Sequence, residues 1–222
     1  MRKRFIAAGV LGAAFLLLIR IVRTVDVSPT GPAGTVVGLS HLNGAFFAFS
    51  GVNMLCHRIS DALGILALMT AAAFGVLGAV QLIRRKSLLR VDGCILALGV
   101  LYIVILSLYV LFEKAPVNFR PVILPGESVP EPSFPSSHTV LACTVMGSAA
   151  MILRNYIKNP GLYKTLRAAC TVMIAVTVFG RLFSGVHWLT DITGGAILSA
   201  ALLLLYSAFA GKTSGAANRK KH

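Results

Sequence analysis

The chain has 222 residues, 56% of them hydrophobic, with a formal net charge of +14 and a mean hydropathy of +0.82. The apolar residues come in long blocks, which excludes an ordinary soluble domain and implies one integral membrane domain spanning residues 1–222. The charge does not imply nucleic acid, because each basic cluster abuts an apolar block and the clusters fall on alternate loops, the positive-inside pattern.

Six spans are expected in an all-α bundle: about Phe5 to Val22, Asp61 to Ile83, Val91 to Phe112, His138 to Leu153, Leu166 to Phe183, and Leu189 to Ala210. Lengths near 20 residues suit a bilayer core of about 30 Å. The first follows Arg2-Lys3-Arg4 and reads as an uncleaved span, since no small-residue cleavage site precedes Val25. Arg20 and Arg23 snorkel at its outer end. The remaining clusters are Arg84-Arg85-Lys86 with Arg90; Arg154, Lys158, Lys164 and Arg167; and Lys212 with Arg219-Lys220-Lys221. They place both termini and the two basic loops in the cytoplasm.

Two long segments then face outward. Residues 24–60 carry an amphipathic stretch, Val36 to Val52, expected to lie at the interface as a helix. Glu113 to Ser137 holds six prolines, at positions 116, 121, 125, 130, 132 and 135, a density that prevents helix and internal strand and makes this a loop. The four cysteines, Cys56, Cys94, Cys143 and Cys170, form no close pair and read as small packing residues. No internal repeat or low-complexity tract is visible.

Three segments meet on the outer face by this topology. One is Lys114 to Pro121, one is Pro135-Ser136-Ser137-His138, and one is Gly180 to Asp191. Lys114, Arg120 and Arg181 supply fixed cations, and arginine forks match phosphoryl oxygens in two-point contacts. Pro135-Ser136-Ser137 leads into a helix start whose free N–H groups favour an anion. His187 and Asp191 stand four residues apart, so a helix beginning at Trp188 places them one turn apart. Asp191 can then hold one imidazole nitrogen and leave the other free to attack phosphorus. His138 is the expected general acid for the leaving oxygen and the base for water afterwards. Only seven acidic residues are present, four of them (Glu113, Glu127, Glu131 and Asp191) near these motifs, with no cluster of carboxylates to hold metal ions. No metal and no cofactor are therefore expected.

These segments resemble the three-part signature of the type 2 phosphatidic acid phosphatase superfamily: a lysine with an Arg-Pro pair, then Pro-Ser-Gly-His, then Ser-Arg with a histidine and an aspartate at fixed spacing. The third part matches from Arg181 through His187 to Asp191, the second at Pro135, Ser136 and His138, and the first at Arg120-Pro121. The likeness covers roughly residues 60 to 210. It implies a six-span core, an outward-facing site and a histidine nucleophile (His187), with Lys114, Arg120, Ser136, Ser137 and Arg181 on phosphate. It also implies substrates such as undecaprenyl pyrophosphate, phosphatidylglycerol phosphate, phosphatidic acid or sphingoid phosphates. The chain departs from the pattern in three places. Five residues rather than six separate Lys114 from Arg120, Ser137 replaces the glycine, and Gly180 replaces the serine before Arg181.

The reading is a metal-independent lipid phosphate or pyrophosphate phosphatase of the cell membrane, whose partners are its amphiphilic substrate and the bilayer. The alternatives are a silent lipid-phosphate-binding protein and, further off, a transporter, which the clustering of cations at one surface disfavours. His41, His57, Arg58 and Asp61 read as interfacial polar residues, Trp188 as an interfacial anchor and Asn118 as a loop residue. Gly64, Gly75 and Gly78 read as helix-packing contacts.

Overall fold

The computed structural model describes residues 1–219, with side chains to residue 210. The described residues form seven α-helices: α1 (Arg2–Thr24), α2 (Ser40–Ser50), α3 (Met54–Arg85), α4 (Gly93–Lys114), α5 (Ser137–Tyr156), α6 (Pro160–Phe183) and α7 (Leu189–Arg219). The side chains of the expected basic tail, Lys212 and Arg219-Lys220-Lys221, lie outside the described residues.

Five helices are long and apolar enough to cross a membrane: α1, α3, α4, α6 and α7 up to Ala210. The fourth expected span, α5, is not among them, and the reason is its position. It packs against α3, α4, α6 and α7 and buries residues all along its length, among them Thr139, Thr144, Ser148 and Ala149. A helix surrounded by protein has no need of lipid-facing leucines. Its hydroxyls are satisfied locally, Thr144 donating to the Val140 carbonyl at 2.5 Å and Ser148 to that of Val145 at 3.0 Å. By contrast, α1, α3, α4 and α6 bury 17% or less of their apolar spans, whereas α7 buries 50%. The first group presents apolar flanks where acyl chains would lie, and α5 with α7 forms the centre.

Two apolar clusters tie the bundle. Phe15, Leu98, Phe134, Leu198, Leu202 and Tyr206 join α1, α4, α7 and the loop before α5. Ala67, Val145, Met146, Ala149 and Cys170 join α3, α5 and α6. Close approach depends on glycine at particular crossings. A Cβ on Gly78 would meet Ile95 at 2.9 Å, and one on Gly180 would meet Ser60 at 3.2 Å. Gly75, expected to make such a contact, faces nothing within 4 Å. Gly180, which stands where the resembling family has serine, therefore lets α6 pack closely on α3. All four cysteines are free.

The segment before α3 is not a detached surface helix. Asn43 of α2 is fully buried; its amide donates to the Gly38 carbonyl at 2.8 Å and to Thr190 Oγ1 at 3.1 Å, and it accepts from the Thr190 N–H at 3.2 Å. Phe46 packs on Phe183 and Phe47 on Trp188. Leu42 and Phe49 of the same helix stay exposed. α2 thus braces the turn between α6 and α7. Gly185 in that turn has φ +70°, and a Cβ there would strike the Gly51 carbonyl at 2.1 Å, so only glycine fits.

Candidate active site

Five helix ends gather at one end of the bundle: the starts of α3, α5 and α7 and the finishes of α4 and α6. The basic clusters near 84–90 and 154–167 lie at the opposite ends of the same helices. Arg4 donates to the Ser207 carbonyl at 2.9 Å, which puts the start of α1 at that opposite end too. The three motif segments therefore share one end.

His187 sits in the turn before α7, only 4% exposed. Its Nδ1 lies 3.5 Å from Asp191 Oδ2, and the carboxylate is fully buried. That separation is long for a hydrogen bond, and neither ring nitrogen makes a well-formed one, although the Ser133 backbone faces the ring. Asp191 has a second duty: its Oδ2 accepts from the Trp188 N–H at 3.0 Å, the backward half of a capping box at the start of α7. The carboxylate is thereby fixed beside the imidazole by the helix itself. Burial, reinforced by the charges of Arg120 and Arg181, pulls the His187 imidazole well below its ordinary 6.5. Burial thus favours the neutral form of the ring. Asn118 and Ser133, both buried, flank the Asp191 carboxylate.

Trp188, expected as an interfacial anchor, is instead 5% exposed. Its indole N–H donates to the Phe119 carbonyl at 2.7 Å, pinning the proline-rich loop over the site. That loop folds back on itself as a narrow pair, the Arg120 N–H donating to Glu131 at 2.9 Å and the Ser133 N–H to Asn118 at 2.9 Å. Asn118 lies in this loop as expected, but in its buried interior.

His138 is in the first turn of α5, with Nε2 3.2 Å from Asp61 Oδ1 and Nδ1 unpaired. Ser136 caps α5, its hydroxyl accepting from the Thr139 N–H at 3.4 Å, and it is fully buried. Ser137 is the first helical residue and its φ is not positive, so serine in place of glycine costs nothing in backbone strain there. The Ser136 N–H donates to the Asp191 carbonyl at 3.1 Å and locks the starts of α5 and α7 together.

Gly64 makes room for the His138 ring: a Cβ there would come 2.7 Å from His138 Cδ2. Gly64→Ala should therefore separate stability from turnover. Alanine is the better helix former by about 1 kcal/mol, so Tm should hold, while the displaced ring lowers kcat by about tenfold. Thermal unfolding and turnover measured on the same preparation check this.

The cations divide. Arg120 lies with Nε 2.8 Å from Glu131 Oε2. Arg181 is completely buried. One of its terminal nitrogens contacts Asp61, and the other lies 2.8 Å from His57 Nδ1. Lys114 is exposed in the last turn of α4 and makes no hydrogen bond or ion pair among the described residues. Its one-residue shift in spacing leaves it outside the group formed by the others.

His57 and Asp61, read from the sequence as interfacial polar residues, belong to the site. Asp61 Oδ2 is 3.3 Å from His57 Nε2. With Gly64 they follow positions i, i+4 and i+7 of α3, one helical face, and that spacing is the signal the sequence carried.

His138, His187, Arg120, Ser137, Asp61 and Glu131 line one cavity of about 700 Å³. Arg181 stands behind Asp61. The cavity continues between α3 and α4 along Ile65, Leu68, Leu106 and Tyr109, all at least half exposed on the flank of the bundle. A charged pocket opening sideways into an apolar groove can hold a phosphoryl headgroup while a hydrocarbon tail remains in lipid. Among the described residues no three His, Cys, Asp or Glu side chains converge to hold a metal ion.

A family model described as PAP2 superfamily matches residues 93–214, which include His138, Arg120, Arg181, His187 and Asp191. The fold is similar to that of a solved Bacillus subtilis protein described as the first transmembrane PAP2 type phosphatidylglycerolphosphate phosphatase. That likeness has a TM-score of 0.65 at 20% identity and covers 92% of this chain and 96% of the other. No curated protein sequence gave a match. With its five long apolar helices and this likeness to a membrane protein, the chain is a multi-pass membrane protein.

Proposed function

The chain belongs to the PAP2 superfamily, and from that premise we propose that it removes the terminal phosphate from a membrane lipid phosphate or pyrophosphate without a metal ion, through a phosphohistidine. The observation that carries this reading is that His187, with Asp191 at its Nδ1, lines the same cavity as His138, and that this cavity runs into the apolar groove between α3 and α4. In the first step His187 Nε2 bonds to phosphorus and the bond from phosphorus to the leaving oxygen breaks. His138 gives that oxygen its proton, and Asp191 stabilises the developing imidazolium. In the second step His138 takes a proton from water, the water oxygen bonds to phosphorus, and the N–P bond breaks to release phosphate and restore neutral His187. Arg120 and Arg181 hold the equatorial oxygens, with the N–H groups at the start of α5. Ser137 stands at the cavity wall; Ser136 contributes by holding the α5 start in place. Lys114 reaches the phosphate only if its stem swings in from the last turn of α4.

Asp61 lies between His57, His138 and the Arg181 guanidinium, and that fixed positive charge repels a metal cation, which supports metal independence. With six spans, counting the buried α5, both termini are cytoplasmic, the site faces outward, and residues 24–60 form the extracytoplasmic brace. Phosphatidylglycerol phosphate is the first lipid to test, in view of the Bacillus subtilis protein's described activity, followed by undecaprenyl pyrophosphate and phosphatidic acid. Detergent-purified protein should release phosphate from at least one of them at the same rate with and without EDTA. Loss of all activity in EDTA would sink the metal-free route, and release from none of the lipids would sink the enzyme reading.

A further inference from the structure

Asp61 stands where a ligand oxygen should. Its carboxylate lines the headgroup cavity and is 40% exposed, while the Arg181 it contacts is completely buried. One oxygen, Oδ1, touches the Arg181 guanidinium and lies 3.2 Å from His138 Nε2. The other lies 3.3 Å from His57 Nε2. These are a fixed cation and a proton donor on one face, the set of partners that the proposed reaction requires for a phosphoryl group. A carboxylate and a phosphoryl group are both anions with forked oxygen acceptors, so they compete for the same fork.

We propose that Asp61 is an internal anion that holds the phosphoryl subsite in the empty protein and selects for ligands carrying more than one negative charge. The inference rests on the phosphatase reading above. A guanidinium completely buried at the membrane needs a counter-charge, and an empty site would leave Arg181 without one. Asp61 supplies a single negative charge at the start of α3, one turn from His57. A terminal phosphate near neutral pH carries close to two charges and three acceptor oxygens, and it gains more from Arg181 and His138 than the carboxylate does. A phosphodiester carries one charge and two free oxygens. It offers Arg181 no more than Asp61 already provides, and the displaced carboxylate would repel it. Bulk phospholipids are phosphodiesters and surround the site in excess, so discrimination against them is the selection a terminal phosphatase needs. It is achieved here by a built-in competitor.

The test uses the full chain in detergent, with inorganic phosphate and dimethyl phosphate as soluble probes, each titrated as a competitor of lipid-phosphate hydrolysis and by its effect on thermal unfolding. In the unsubstituted protein phosphate should compete and dimethyl phosphate should not. In Asp61→Asn phosphate should bind about tenfold tighter, dimethyl phosphate should become a competitor, and the rise in Tm on adding phosphate should exceed that of the unsubstituted chain. Asp61→Ser should behave in the same way, with a smaller side chain and no amide. Phosphate affinity unchanged or weakened in both variants, or dimethyl phosphate still excluded, would overturn the proposal and leave Asp61 a structural counter-ion. The same conclusion follows if neither variant folds even with phosphate present. If the unsubstituted chain hydrolyses no lipid phosphate and binds no phosphate, the phosphatase reading itself fails, an outcome distinct from normal hydrolysis with unaltered selectivity in the variants.

Discussion

Alanine in place of His187 is expected to lower phosphate release by on the order of ten-thousand-fold or more while leaving the fold intact. The size of the effect follows from the division of labour at the site. If His187 forms the bond to phosphorus, no neighbouring group can take its place. His138, the other cavity-lining imidazole, has its Nε2 at the Asp61 carboxylate, and Asp191 is buried behind the His187 ring. The cost to stability should be small for an equally local reason. Neither His187 ring nitrogen makes a well-formed hydrogen bond, so truncation breaks at most a weak contact to the Ser133 backbone, and the loss is mainly packing, roughly 1–2 kcal/mol. Two measurements check this. Initial rates on a lipid phosphate give the loss, and labelled phosphate trapped on the unsubstituted protein, stable in base and released in acid, gives the intermediate. Unchanged turnover in His187→Ala would remove the nucleophile from the scheme. A normal rate of lipid binding beside absent turnover would place the effect in the chemical step.

The parts of this site that were legible in the sequence are the parts made by short-range spacing. His187 and Asp191 are four residues apart, and helical periodicity alone places them together. The order of basic clusters and apolar blocks also placed three distant motifs at one end of the bundle, where the helix termini do gather. What could not be read depends on partners far along the chain. Asp61 meets Arg181 across 120 positions and His57 meets it across 124; nothing local distinguishes an Asp at a membrane surface from one that holds a buried arginine. Trp188 illustrates the same ambiguity, because an aromatic with one polar edge suits an interface and suits equally a buried N–H with a carbonyl to meet. The fourth span was the weakest in hydropathy because α5 is surrounded by protein rather than lipid, so its small and hydroxylated residues reflect its central place. Lys114 shows the opposite limit: the residue type matched, the spacing was one short, and the side chain stands in solvent.

Asparagine in place of Asp191 tests the remaining half of the proposed pair, and here activity and stability should move apart. The substitution preserves shape, and the amide oxygen can still accept from the Trp188 N–H at the start of α7, so the capping contact survives. What disappears is the negative charge 3.5 Å from His187 Nδ1. An amide there offers its NH₂ as readily as its oxygen, which favours the wrong imidazole tautomer, and it gives no stabilisation to an imidazolium forming on attack. The expected fall in kcat is on the order of a thousandfold to ten-thousandfold. KM should hardly change, because Arg120, Arg181 and the apolar groove, which in the proposed scheme take the headgroup and tail, are untouched. Stability should hold or rise, by about 1 kcal/mol at most, because the native carboxylate is fully buried. Replacing a charge in that position with a neutral isostere relieves a desolvation penalty. Turnover and thermal unfolding of the same variant decide the matter. Lost activity with an unchanged Tm assigns Asp191 to the chemistry of His187. Lost activity with a collapsed Tm would assign it to the α7 cap alone, and the carboxylate would then act on the fold rather than on the reaction.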